Sequence, residues 1–212
     1  MNEIESHQPE PIPRVPRAEV RRRLLAAAAH AFAEHGYADS RLEDIAHSAG
    51  FTKGAVYSNF GSKQGLFGAI LREHSDTELT TVMSEVRDTE NVAEAVGQAA
   101  RLVAQRIVND TERGQLGLEF AARAARDEPT REIVAALRGA QREAASRSIA
   151  EVARRGGFSP AVDPDLAALI VHCLSNGLSM ERLADPEAVS IETAERALAT
   201  VLTALLAPPP SG

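Results

Sequence analysis

Residues 40–60, SRLEDIAHSAGFTKGAVYSNF, leave this chain a narrow choice of folds. Ile45 and Ala46 put apolar side chains on one face of a short helix, and the small Ala46 admits a second helix at close range. Gly50 stands four residues on, where a chain leaving a helix enters the left-handed region at least cost without a Cβ. Val56 then returns an apolar side chain to the same core. Ala46-x3-Gly50-x5-Val56 is the spacing of a helix-turn-helix, whose second helix lies in the major groove of DNA. The S-x-x-E run from Ser40 to Glu43 reads as a capping box for the first of the two helices. Thr52 reads as the cap of the second.

Composition supports helices and narrows the chemistry. Among 212 residues alanine dominates the apolar fraction, aromatics are only 4% and Trp is absent, which favours close-packed helices over sheet. The expected fold class is all-α. The single Cys173 excludes an internal disulfide framework and any multi-cysteine metal site, as suits a reducing cytoplasm. The charge-free stretch from Leu166 to Met180 contains Ser, Asn, His and Gly and falls short of the roughly 20 residues of a membrane span. With no apolar leader pattern at the start, a soluble cytoplasmic protein without a membrane partner is expected.

The net charge of −7 conflicts with a nucleic-acid partner until it is divided along the chain. Residues 11–65 carry eight Lys or Arg against five acids, whereas residues 66–212 carry 15 against 22. Positive charge therefore gathers where the DNA motif lies, and the acidic remainder is repelled from the phosphate backbone. A local excess this small is also ordinary fluctuation, so the motif decides the case.

Along the chain, four prolines within residues 1–16 predict a mobile arm. Val20, Leu24, Ala28 and Phe32 recur every four residues and predict a first helix from Arg17 to His35, ended by Gly36. Helices follow at about 41–48 and 53–59. Ser62 caps a fourth, which runs on to Arg87 and carries Leu79, Val82, Met83 and Val86 into a second domain. The rest reads as helices over about 91–108, 113–126, 130–155, 164–184 and 189–206. Pro164 suits a first helical position behind an Asp163 cap. The tail 208–212 cannot continue a helix.

The stretch from Arg17 to His74 resembles the tetracycline-repressor (TetR) family of bacterial transcriptional regulators. The run from Ala49 to Phe60, with Lys63 and Leu66, matches that family's most specific signature almost position by position. Ser40 stands where the family more often has Thr, and Arg41 where it often has a small or β-branched residue. Past residue 77 the likeness is architectural. The resemblance implies a DNA-binding domain over 17–77, a helical ligand-binding and dimerisation domain over 78–207, and double-stranded operator DNA as partner.

The DNA-contacting residues are expected to be Ser40, Arg41, Thr52, Lys53, Gly54, Ala55, Tyr57, Asn59 and Lys63. Lys53 combines its charge with a helix N-terminus, two features that favour phosphate or a guanine edge. Thr52 can cap and also donate to phosphate. Gly54 and Ala55 carry no bulk, so the helix can sit deep in the groove. Tyr57 offers a hydroxyl to a phosphate, Asn59 a bidentate amide, and Lys63 and Arg41 charge for flanking phosphates. Arg21, Arg22 and Arg23 read equally well as a solvated face or as a phosphate contact.

The last two helices carry stripes at i, i+3, i+4 and i+7. Leu166, Ile170, Cys173, Leu174 and Gly177 lie on one, and Leu198, Val201, Leu202 and Leu205 on the other. Periodicity allows these to bury against the chain's own helices. The resemblance implies instead a four-helix interface with a second copy, and two-fold symmetry suits a palindromic operator. An apolar cavity among the C-terminal helices would admit a small-molecule effector, with Met83, Leu118, Phe120, His172 and Asn176 as candidate lining. Glu119 and Arg123 read either as a buried polar network or as a surface pair at i, i+4.

No catalytic residue, metal site or cofactor is expected. Glu73-His74 is not H-E-x-x-H, and the six histidines contain no i, i+4 pair. Gly65-x-x-Gly68 and Gly114-x-x-Gly117 lack a third glycine and a preceding strand. Cys173, mid-stripe, reads as structural. The expected function is a sequence-specific repressor released by a small hydrophobic ligand. A ligand-independent regulator or activator of the same fold is the nearest rival. An architectural DNA protein fits poorly with so much C-terminal helix.

Overall fold

The computed structural model of the protein describes residues 15–73 and 91–206. Within them every regular element is a helix. α1 spans Arg17–Asp39, α2 Leu42–Ser48, α3 Lys53–Phe60 and α4 residues 63–73. α5 (Val92–Asn109), α6 (Thr111–Ala124), α7 (Glu128–Gly156), α8 (Pro164–Ala184) and α9 (Ile191–Leu206) follow. Most of the expected arm, the later part of the fourth helix with Met83, the boundary at 77/78 and the tail lie outside the described residues.

The turn between α2 and α3 forms as Gly50 requires. Its φ is 81°; the Phe51 N–H reaches the Ala46 carbonyl at 2.8 Å and the Gly50 N–H that of His47 at 2.9 Å. These are the two bonds of a Schellman motif, in which a residue free of Cβ satisfies the last carbonyls of a helix. Ile45, Ala46 and Val56 are each no more than 1% exposed.

They join a core of large side chains with Leu24, Phe32, Leu66, Phe67 and Ile70. Phe32 meets Phe67 edge to face at 5.0 Å between centroids, and Tyr37 lies 4.7 Å from Phe67. This core does not stop at the N-terminal helices. Leu116, Phe120 and Ala124 of α6 and Val134 of α7 belong to it, and Phe120 stacks flat on Phe67 at 3.4 Å.

The Ser40–Glu43 capping box does not form. Gly36, at φ 75° and ψ 162°, interrupts α1. The Ser40 hydroxyl lies 2.7 Å from the Gly36 carbonyl and 2.9 Å from that of Ala31, and donates to these acceptors. Glu43 turns to Lys53 instead. Thr52 occupies the N-cap position of α3, but its hydroxyl makes no capping bond. Ser62 does cap α4, accepting from the Gly65 N–H at 2.9 Å.

In the C-terminal half, side chains cap each helix start. Asn91, Asp110, Asp127 and Asp163 accept from N–H groups two or three residues on, and Ser190 accepts from Thr193 ahead of α9. Two small clusters hold this half together. Val96, Ile149, Ala167, Ala168, Leu205 and Leu206 make one; Ala100, Ala104, Ile107, Val189, Ala194 and Leu198 make the other. Gly114 brings α6 against α8, since a Cβ there would come within 2.8 Å of the Ser179 hydroxyl.

The α9 stripe faces inward. Leu198 is 1% exposed and Leu205 8%, both within the chain's own clusters, and Val201 and Leu202 pack partly against them. Assigning Leu198 and Leu205 to a surface between copies is therefore corrected: the stripe satisfies α5 and its neighbours. Ile170 and Leu174 are likewise partly packed inside. The face that α8 turns outward is Leu166, Leu169, Cys173, Gly177 and Met180, all exposed.

Candidate nucleic-acid interface and ligand cavity

α3 stands on the surface with Val56 fully buried beneath it and Thr52, Lys53, Gly54, Tyr57 and Ser58 exposed above. Tyr57 is 48% exposed, a large ring held in solvent where burial would have stabilised the fold. Gly54 is flanked only by the Thr52 hydroxyl, 3.7 Å from where a Cβ would stand. The surface above the first turn of α3 is thus free of bulk, as close approach to a groove floor requires.

Lys53 pairs with Glu43 across the turn, and its ammonium lies 5.8 Å from the centre of the Tyr57 ring. The hydrogen bond and charge of Glu43 raise the Lys53 pKa, and Lys53 in turn lowers that of Glu43. Both side chains are exposed, so the pair is weak. It orients the ammonium over α3 without holding it against a phosphate competitor.

Other expected contacts sit differently. Ala55 is half-buried, and its carbonyl accepts from the Asn59 amide at 2.8 Å and the Ser58 hydroxyl at 3.1 Å. One N–H of the Asn59 amide thus goes to its own helix. Ser40, 5% exposed with its hydroxyl turned inward, does not present that group at the surface. Arg41 is exposed at the start of α2. Lys63 bends back, donating to the Ala38 carbonyl at 3.2 Å with its ammonium 4.5 Å from the Tyr37 ring centre. Burial pushes its pKa down, with the nearby Arg123 charge adding to the effect. Arg21 lies over the Phe60 ring at 4.7 Å, while Arg22 and Arg23 bind Glu19.

The junction with the C-terminal helices is polar as well as aromatic. Glu119 accepts from the Tyr37 N–H at 3.3 Å, and the Arg123 guanidinium covers the Tyr37 ring at 4.1 Å. The two residues thus reach across to α1 rather than to each other, an arrangement that helical spacing alone could not reveal.

Behind that junction lies a cavity of about 350 Å³. Leu118, Phe120, His172 and Asn176 all line it, so four of the five candidates meet at one site; Met83 lies outside the described residues. Phe120 serves both regions, stacking on Phe67 and lining the cavity. Among the lining residues that escaped sequence reasoning are Arg138 and Arg142. The signal was there: they fall between Val134 and Ile149 on the inward face of α7. Among the described residues no group of three or more His, Cys, Asp or Glu could hold a metal ion, and no helix is long and apolar enough to cross a membrane.

A short helix standing on a Schellman turn, joined to a helical bundle that borders a cavity, defines a helix-turn-helix DNA-binding regulator with an appended helical domain. Residues 24–70 match the bacterial regulatory proteins of the tetR family, and residues 92–207 the C-terminal domain of BetI-type transcriptional repressors. The chain belongs to the TetR family of transcriptional regulators.

Among its relatives, the transcriptional repressor Rv3405c of Mycobacterium tuberculosis is 33% identical over 104 residues, covering 49% of this chain and 55% of the relative. The transcriptional activator FasR of Mycolicibacterium smegmatis is 38% identical over 76 residues, covering 36% and 35%. The alignments thus span about half or less of these curated relatives. A TetR-family regulator from Rhodococcus sp. superposes with a TM-score of 0.78 at 25% identity, covering 90% of this chain and all of that one. FadR of Bacillus subtilis, solved with stearoyl-CoA, has a TM-score of 0.72 at 15% identity, covering 85% and 96%.

Proposed function

We propose that the protein is a homodimeric repressor that reads a palindromic operator with α3 and releases it when a small hydrophobic molecule enters the cavity. The observation that carries this reading is the exposed face of α3: Lys53, Gly54 and Tyr57 project from a helix whose opposite side is locked by Val56. Thr52 extends that face, and Arg41 is exposed at the start of α2. The operator-reading unit is residues 17–77 and the sensing and pairing unit 78–207, acting in the cytoplasm where the DNA is.

Dimerisation is supported by the exposed α8 face, where Leu166, Leu169 and Met180 are 50%, 42% and 53% exposed. Three large apolar side chains on one helix face suit burial against a copy. Release is supported by the shared position of Phe120 and by the Tyr37 contacts of Glu119 and Arg123. A ligand that displaced α6 would shift the base of the DNA-reading core. Weakening operator binding 5–150-fold needs about 1–3 kcal/mol of coupling.

The test is footprinting on the DNA flanking the protein's own gene, followed by transcription from that promoter with and without the protein. A protected palindrome and a transcript that rises when the protein is removed bear the proposal out. A protected site with a falling transcript would make the protein an activator, the role that the name of FasR carries.

A further inference from the structure

The cavity has an uneven charge. Arg106, Arg113, Arg138 and Arg142 border it, against one acid among the described lining residues, Asp110. That balance runs opposite to the chain's net charge of −7. Asp110 is already committed as the cap of α6, accepting from the Arg113 N–H at 3.0 Å. Arg106 and Arg113 have neighbours of their own.

Arg138 and Arg142 differ. They stand one turn apart on α7, both half-buried, and among the described residues neither has a hydrogen bond or an ion pair. His172 of α8 lines the same cavity, and its Nε2 is buried without a hydrogen-bond partner. Burial, and then the charges of Arg138 and Arg142, lower the His172 pKa, which keeps the imidazole neutral. Val134 lies one turn before Arg138, and Ala145 and Ile149 lie beyond Arg142. The two guanidiniums thus sit mid-wall between apolar stretches.

Unpaired charge beside an apolar enclosure is costly until an opposite charge meets it. A guanidinium fork is shaped for carboxylate or phosphate oxygens. The lining does not suit a quaternary ammonium, because such cations are held by aromatic faces and Phe120 is the one Phe, Tyr or Trp on the described walls. At about 350 Å³, the space lies near the lower end of ordinary ligand pockets, about 300–1,000 Å³.

We propose that the cavity takes an amphipathic anion, its carboxylate or phosphate head on Arg138 and Arg142 beside His172, and its apolar tail along Val103, Val134, Ile149 and Leu202. This deepens the reading of the cavity as the effector site and rests on it. Charge, not apolar area alone, then selects the effector, since many apolar molecules could fill these walls and few would also pair with two guanidiniums.

The test is calorimetric titration of the full chain with decanoate, decyl phosphate, decanol and decyltrimethylammonium, each below its micelle concentration. One or both anions should bind about 10–100-fold more tightly than decanol or the cation, the span expected for hydrogen bonds to a charged group. The ranking of decanoate against decyl phosphate identifies the head group. Arg138→Gln with Arg142→Gln should bring the anion to the affinity of decanol and leave decanol unchanged, with circular dichroism confirming an intact fold. Equal binding of decanol or the cation, binding of none of the four, or an anion preference that survives in the folded double variant would each overturn the proposal. No DNA is present in these titrations. An anion that binds with the expected selectivity but leaves operator affinity unchanged would refute effector-driven release and leave the anion site standing.

Discussion

Around α1 to α4 the interior is made of rings and branched chains: Phe32, Tyr37 and Phe67 touch one another, and Leu24, Ile45, Leu66 and Ile70 fill the space between. Around α5 to α9 alanines hold many of the most deeply buried positions, Ala100, Ala104, Ala167, Ala168 and Ala194 beside Leu198, and a cavity remains next to them. The difference suits the two roles proposed above. Interlocked large side chains permit one geometry, which would fix Lys53 and Tyr57 on a reading head. Small residues let helices approach along some edges while leaving space elsewhere, the room that a sensor would need. Phe120 of α6 and Val134 of α7 belong to both interiors, which makes them physical links between the two.

The largest expected effect breaks the tightly packed side. Phe67→Ala removes a ring that contacts Phe32, Tyr37 and Phe120, and should cost about 3–5 kcal/mol. Urea denaturation followed by circular dichroism checks it. A cost below about 1 kcal/mol would mean that the N-terminal core is no better packed than the C-terminal one.

Next in size is the outward face of α8. Leu169→Glu places a carboxylate on a face proposed to be buried between copies, where an unpaired charge costs several kcal/mol. It should leave the monomer folded, because Leu169 is 42% exposed in the single chain. Sedimentation equilibrium should show a dimer become a monomer. Leu202→Glu should instead damage the fold itself, since Leu202 packs against both C-terminal clusters and lines the cavity.

A smaller pair of changes sharpens the contrast through glycine. Gly50→Ala forces a Cβ onto a backbone at φ 81° and should destabilise by about 1–2 kcal/mol. Gly117→Ala sits in the interior of α6 with nothing within 4 Å of the added Cβ, and should stabilise by about 0.5–1 kcal/mol. Thermal melting of both variants gives the two signs. Destabilisation by Gly117→Ala would show that the cavity wall is tighter than its geometry indicates.

The sequence made the reading head far more legible than the sensor. Ala46, Gly50 and Val56 act within eleven residues, so their spacing carries the turn, and Asp163 with Pro164 marks the start of α8 in the same local way. Helix limits also held to within about two residues over most of the described chain, apart from α1, which resumes past Gly36 as far as Asp39.

Less legible was which acceptor each polar side chain would find and which partner each apolar stripe would meet. The capping box at Ser40 lost to the carbonyls opened by the break at Gly36. Asn59 and Lys63, expected to contact DNA, donate in the free chain to the Ala55 and Ala38 carbonyls, which their spacing did not signal. The stripes on α8 and α9 were visible, but a period cannot say whether its partner is the same chain or another copy. Arg138 and Arg142 drew no reading from the sequence, because only the packing of α7 against α8 brings them to the cavity.

The central claim is that α3 is the reading head and that Lys53 supplies charge to it. Fluorescence anisotropy of the wild type and Lys53→Ala, on operator and scrambled duplexes across a salt series, tests this most directly. The account predicts weaker binding to both duplexes and a salt slope smaller by about one unit, the signature of one lost phosphate contact. An unchanged affinity and an unchanged slope would place the DNA contact elsewhere on the molecule.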